Sequence, residues 1–311
     1  MTPEAPGAKG WGGLGVLALT WGSAFAFISV GVETLPPSFV VFGRLTLAAL
    51  LLTAWTLHQR RPLPPLADRR WIWFAALGVF GNTLPFVLIA IGQREVPSGV
   101  AGILMGMTPL AIIAAAHFIL PNERLTVFKA IGFLVGFSGI VLLMGPSALD
   151  GLLSSSFLMQ LLIFGATLAY ATNAILYQAG PETSPSVVAA ASLICAAVLS
   201  APLALYDLLA GPPVTPSLSS VAAVIALGVF PTALAAIVYM GIARKVGAAF
   251  IALVNYAVPV VAALVGAALG ETLGPTAWGA LAVILAGIFI ARRGGRTAKA
   301  GSIAQARKAR R

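Results

Sequence analysis

Asn82, Thr83, Asn173 and Asn255 are the side chains of this 311-residue chain best suited to hold a small molecule, because each stands deep inside a long apolar run. Polar groups at such depth are expensive, and they normally face a bundle interior or a wet cavity. A carboxamide offers both donor and acceptor, which suits the carboxylate and ammonium of a zwitterion. Bonding between helices is the competing use of the same groups. Asn82 is favoured because it precedes Pro85, whose missing N–H frees a backbone carbonyl.

Aromatic residues join them. Trp21 aligns with Tyr170 at a repeat offset described below, and Tyr239 and Tyr256 add rings in later runs. Together with Met105 and Met107, these walls suit flat apolar groups and organic cations. Trp11, Trp71, Trp73 and Trp278 stand at run ends, where an interfacial belt is expected. Arg44 is the one basic residue inside a run. It is read as snorkelling to the nearer interface or pairing with Glu33, with substrate binding the lesser role.

Several chemistries lack their residues. Cys195 is the single cysteine, and His58 and His117 lie far apart, so neither a disulfide framework nor a metal cluster is expected. No GxxxxGK[ST] loop is present for ATP, and no GxSxG or HExxH for hydrolysis, so no cofactor and no enzyme are expected. None of the nine acidic residues falls in the middle of a run. A buried proton relay would need one there, so facilitated export or exchange is expected.

The elements that must position these residues are membrane helices. Hydrophobic residues make up 59% of the chain and charged ones 9%, against roughly 25% charged in soluble domains. Apolar runs occupy 11–32, 38–58, 71–92, 97–119, 127–145, 157–178, 185–206, 219–242, 247–269 and 275–292. Each is long enough to cross a bilayer as a helix. Placing both termini in the cytoplasm puts seventeen of the nineteen lysines and arginines on that side, with Arg94 outside and Arg44 within a span. The net charge of +10 is therefore assigned to membrane orientation and not to nucleic acid. The basic stretch 294–311 is expected to be a disordered tail drawn to anionic headgroups.

The halves echo one another at an offset near 150. Gly31-Val-Glu33-Thr-Leu-Pro-Pro-Ser38 returns as Gly180-Pro-Glu182-Thr-Ser-Pro-Ser186, and Gly78-Val-Phe80 as Gly228-Val-Phe230. Pro109 pairs with Pro259, Glu123 with Glu271, and Gly139 with Gly287. Five helices are an odd number, so the second half (151–293) must run upside down relative to the first (1–150). Inverted repeats of this kind suit alternating access around a midplane site. Pro109 and Pro259 are then hinge candidates, although a static kink explains them equally. Gly102–Gly106, Gly132–Gly136 and Gly266–Gly270 read as close-packing pairs.

Leu19-Thr-Trp21-Gly22-Ser23-Ala-Phe25, the Pro36-Pro37 turn and Arg44 before an Ala/Leu run resemble the first two helices of EamA-type drug/metabolite transporters. The helix bearing Pro109 before Asn122-Glu123-Arg124, and its echo at Pro259 and Gly270-Glu271, extend the resemblance over all ten spans. Within that family the chain looks most like the YddG-type exporters of aromatic and other amino acids. The resemblance implies an all-α fold of ten helices, a multi-pass place in the bacterial inner membrane, and export of small metabolites through a central cavity. It also implies that helices five and ten are peripheral. No basic residue lies deep in spans three, four, eight or nine, which counts against phosphorylated substrates. The sequence thus supports a monomeric exporter of neutral amino acids, with organic cations as further candidates. The alternative is a channel- or flippase-like path for a lipid or other apolar metabolite.

Overall fold

The computed structural model describes residues 7–119, 126–149, 155–246 and 248–308. Among them every regular element is helical. The first half runs α1 (Ala8–Val32), α2 (Pro37–His58), α3 (Arg70–Gly78), α4 (Leu84–Gly92), α5 (Ser98–Met105), α6 (Thr108–Ile119) and α7 (Val127–Leu149). The second runs α8 (Ser155–Gln178), α9 (Pro185–Ala210), α10 (Leu218–Leu227), α11 (Ala235–Lys245), α12 (Ala248–Ile251), α13 (Val254–Ala268) and α14 (Pro275–Lys308). Nine rods among the described residues are long and apolar enough to cross a membrane, and α13 is a shorter apolar helix. With α12 it makes up the tenth rod, over the stretch expected at 247–269.

Two rods carry the same irregularity. α3 and α4 are joined by a π-helical turn at Val79–Thr83, and α10 and α11 by another at Gly228–Leu234. Both begin at the Gly-Val-Phe echo, with Pro85 two residues beyond the first turn and Pro231 inside the second. A proline cannot donate to the carbonyl four residues back, and a π turn is one way to absorb the lost bond. Two further rods are broken at equivalent places, α5 from α6 at Gly106–Met107 and α12 from α13 at Ala252–Leu253. The breaks precede Pro109 and Pro259 rather than fall on them. Thr108 Oγ1 donates to the Met105 carbonyl at 2.7 Å, which satisfies the group that Pro109 cannot reach.

The halves interleave. α2 packs along α9, α5 along α13, and α7 along α14, so each of these rods meets its own repeat counterpart. α1 lies against α10, α11 and α13, while α4 and α3 lie against α8 and α9. Glycines permit the closest approaches. A Cβ on Gly287 would stand 2.5 Å from the Gly136 nitrogen, and one on Gly102 would stand 2.1 Å from the Ala262 Cβ. α7 and α14 pack chiefly on each other and touch the remaining rods lightly, as expected of peripheral helices.

Beyond residue 293, where a disordered tail was expected, α14 continues to Lys308. Gly294, Gly295 and Gly301 weaken the helix there, but Ala, Gln, Lys and Arg are good helix formers and no proline interrupts them, so the helix started by the apolar part can propagate. Asn122, Glu123 and Arg124 lie outside the described residues.

Candidate functional site

α10 and its π turn place Thr232 near the middle of the Leu218–Lys245 rod. Pro231 deprives the Leu227 carbonyl of its usual donor, and Thr232 Oγ1 donates to that carbonyl instead, at 2.7 Å. The same hydroxyl accepts from Arg44 Nε at 2.8 Å. Trp21 Nε1 of α1 donates to the Pro231 carbonyl at 3.1 Å. One irregular turn of the second half is thus held by two side chains from the first.

Arg44 is the eighth residue of α2, about 10 Å along the helix from its start. It neither snorkels nor meets Glu33. It is 6% exposed, and its guanidinium carbon lies 3.7 Å from the centre of the Phe86 ring on α4. The short side chain of Thr232 and the flat face of Phe86 draw the guanidinium inward, a pairing of partners that sequence spacing does not show. An arginine followed by an apolar run was the signal for it, and the snorkelling reading hid its use.

The expected site residues divide into three groups. Trp21, Tyr170 and Tyr239 remain partly buried or exposed between the rods, with Trp21 and Tyr239 rings 6.1 Å apart. Asn82 and Asn173 stand on α3/α4 and α8, which pack together; a Cβ on Gly81 would lie 2.5 Å from Asn173 Oδ1. The amides of Asn82, Asn173 and Asn255 make no hydrogen bond among the described residues, and all three side chains stay partly accessible.

Three expectations are corrected by burial and geometry. Met107 is 1% exposed and sits in the core at the α5–α6 break, beside Gly136, so it is packing and not lining. Thr83 is buried, and its hydroxyl donates to the Ala196 carbonyl of α9 at 3.1 Å. Tyr256 meets α14, where the Arg292 guanidinium carbon lies 5.3 Å from its ring centre.

A second feature is a cleft of about 500 Å³ at the end that carries residues 59–70, lined by Arg60, Arg61, Arg70, Glu182 and Ser184 among others. Arg61 Nη1 donates to Ser184 Oγ across the halves. Asp68 is clasped by Arg70, whose hydrogen bonds hold its carboxyl below the usual range. The mouth is cationic and can gather anions but has no buried receptor of its own.

Comparison with known proteins places this arrangement. The model of the EamA-like transporter family matches residues 11–145 and again 157–293. The chain is 31% identical over 297 residues to the uncharacterized inner membrane transporter YedA of Escherichia coli K12, covering 91% of this chain and 90% of that protein. It is 29% identical over 127 residues to Protein PagO of Salmonella typhimurium, 40% of each. A solved crystal structure covers 93% of the chain and 99% of its own, with a TM-score of 0.66 and 24% identity, a likeness that shows the fold.

Proposed function

The chain belongs to the EamA-like transporter family, and from that premise we propose that it exports neutral amino acids, aromatic ones among them, from the cytoplasm by alternating access. The observation that carries this reading is the set of amide side chains left without partners between the rods. Asn82 stands in the π turn before α4 and packs toward α8, which carries Tyr170 and Asn173, while the rings of Trp21 on α1 and Tyr239 on α11 lie 6.1 Å apart. Unpaired amides at that depth await donors and acceptors from a substrate. Aromatic rings supply the apolar wall for its side chain.

The mirrored π turns and mirrored breaks give the two halves matched flexible points, which exchange of inward- and outward-facing shapes requires. An inner-membrane location with both termini cytoplasmic completes the proposal. It draws on the positive-inside bias of the loops and on the similarity to YedA, an inner membrane transporter.

Counterflow in liposomes tests it. Purified protein loaded with unlabelled phenylalanine should accumulate labelled phenylalanine transiently and saturably, with threonine and methionine competing. Folded protein that shows no counterflow with any neutral amino acid would overturn the reading. Uptake that is linear in concentration would favour the channel-like path.

A further inference from the structure

Arg44 presents the free end of its guanidinium to the interior. Nε is occupied by Thr232 and one face by Phe86, yet Nη1 and Nη2 make no hydrogen bond among the described residues. Neither of them is sealed, so the fork keeps an accessible edge while the side chain as a whole is 6% exposed. No described carboxylate pairs with it.

A buried cation without a counter-ion is costly, and proteins keep one where a ligand supplies the missing charge. Two parallel N–H groups in a rigid fork match the two oxygens of a carboxylate. Phosphate fits the same fork, but a singly charged carboxylate neutralises one arginine without leaving excess charge in the membrane. We propose that Arg44 is the carboxylate receptor of the transport site, so that a carboxylate is obligatory in the substrate and an ammonium is not. This deepens the exporter reading and rests on it for the transport of the carboxylate so bound. Organic cations, which the aromatic walls by themselves would admit, are excluded by the like charge of Arg44.

Thr232 fixes how the fork points. Its hydroxyl is pinned to the Leu227 carbonyl, so it can only accept from Nε, and that leaves the Nη edge turned away from the π turn. Because Arg44 belongs to the first half and Thr232 to the second, a carboxylate drawn onto the fork is bound at the junction of the two halves. Rearrangement of that junction is what alternating access needs.

The experiment compares three competitors of phenylalanine counterflow: 3-phenylpropionate, which lacks the ammonium; phenylalaninamide, which lacks the carboxylate; and phenylalanine itself. Wild type should be inhibited by phenylalanine and 3-phenylpropionate and not by phenylalaninamide. Arg44→Met should raise KM for phenylalanine by about thirty-fold or more and abolish inhibition by 3-phenylpropionate, while Arg44→Lys should retain part of it. Thermal stabilisation of the detergent-solubilised protein by 3-phenylpropionate, present in wild type and lost in Arg44→Met, gives a readout independent of transport. Equal competition by phenylalaninamide, or a KM and a stabilisation indifferent to Arg44→Met, overturns the receptor role and leaves the exporter reading standing. Absence of counterflow with stabilisation intact overturns the exporter reading and leaves the receptor.

Discussion

Glu271 accepts the backbone N–H of Gly99 at 2.8 Å, through its Oε2, while its Oε1 accepts that of Ser98 at 2.7 Å. A carboxylate of the second half thereby caps α5 of the first, whose own cap position is Pro97 and has no side chain to offer. Local chemistry explains the reach. Gly270 turns the chain at a φ of 88°, and Glu271 N–H donates back to the Gly266 carbonyl at 3.0 Å, closing α13 in a Schellman turn. Small residues make room, since a Cβ on Gly266 would stand 2.4 Å from Glu271 Oε2.

Glu271→Gln should lower stability by about 1–2 kcal/mol, because a neutral amide leaves one orphan N–H and loses the charge set against the positive end of α5. Gly266→Ala should cost more, since the new methyl displaces both the carboxylate and the Gly99 backbone. Thermal unfolding of the two variants in detergent measures the order. A Glu271→Gln midpoint equal to wild type would show that the cap contributes nothing.

Thr232→Val keeps shape and removes a hydroxyl that both donates and accepts. The Leu227 carbonyl and Arg44 Nε are then unpaired inside the bundle, at a cost of about 1–3 kcal/mol. Because the arginine fork loses its rest, KM for phenylalanine should rise several-fold with kcat little changed, and Thr232→Ser should bring KM back to the wild-type value. Counterflow kinetics on the three proteins separate this from a purely structural effect, which would lower the active fraction and leave KM alone.

The spans were legible because apolar runs of bilayer length, bounded by Pro, Gly and charge, have few other uses in a chain so poor in charged residues. The repeat was legible in Gly31–Ser38 and Gly78-Val-Phe80, but the π turns that follow the second echo were not. Their cause is proline bonding geometry at Pro85 and Pro231, where a kink and a π turn share one sequence signal. For the candidate site, depth in an apolar run singles out Trp21, Asn82, Tyr170 and Asn173 but does not say which wall each faces, and a methionine such as Met107, 1% exposed, reads alike in a wall and in a core. Arg44 was misjudged because its partners, Phe86 and Thr232, are distant in sequence, and Thr232 belongs to the other half.

Gly287→Val should damage the bundle without touching the transport path. Gly287 and the Gly132–Gly136 pair bring the α14 and α7 backbones together, with a Cβ on Gly287 2.5 Å from the Gly136 nitrogen and 2.6 Å from the Gly132 carbonyl. Neither obstacle is a side chain that can rotate away, so the helices must part. Overpacking of this kind costs about 1–3 kcal/mol or more. Unfolding temperature should drop while KM of the remaining folded protein stays at the wild-type value, and a changed KM would place α7 or α14 on the path.

An imposed pH gradient should not by itself concentrate substrate. Among the described acidic residues, Glu33, Asp68, Glu95, Glu182 and Glu271 stand at or near rod ends, and Asp207 lies three residues from the end of α9, where Ser38 Oγ donates to its Oδ2. None is placed against Arg44, Trp21 or the unpaired amides, so no carboxylate there can take up a proton as the site turns over. Movement down the substrate gradient, or exchange of one amino acid for another, follows as the coupling mode. The measurement is uptake of labelled phenylalanine into liposomes with equal amino acid on both sides and a pH step across the membrane. Internal and external concentrations should remain equal. Net accumulation that a protonophore abolishes would require a protonatable group on the path, and Asp207→Asn would be the first variant to examine.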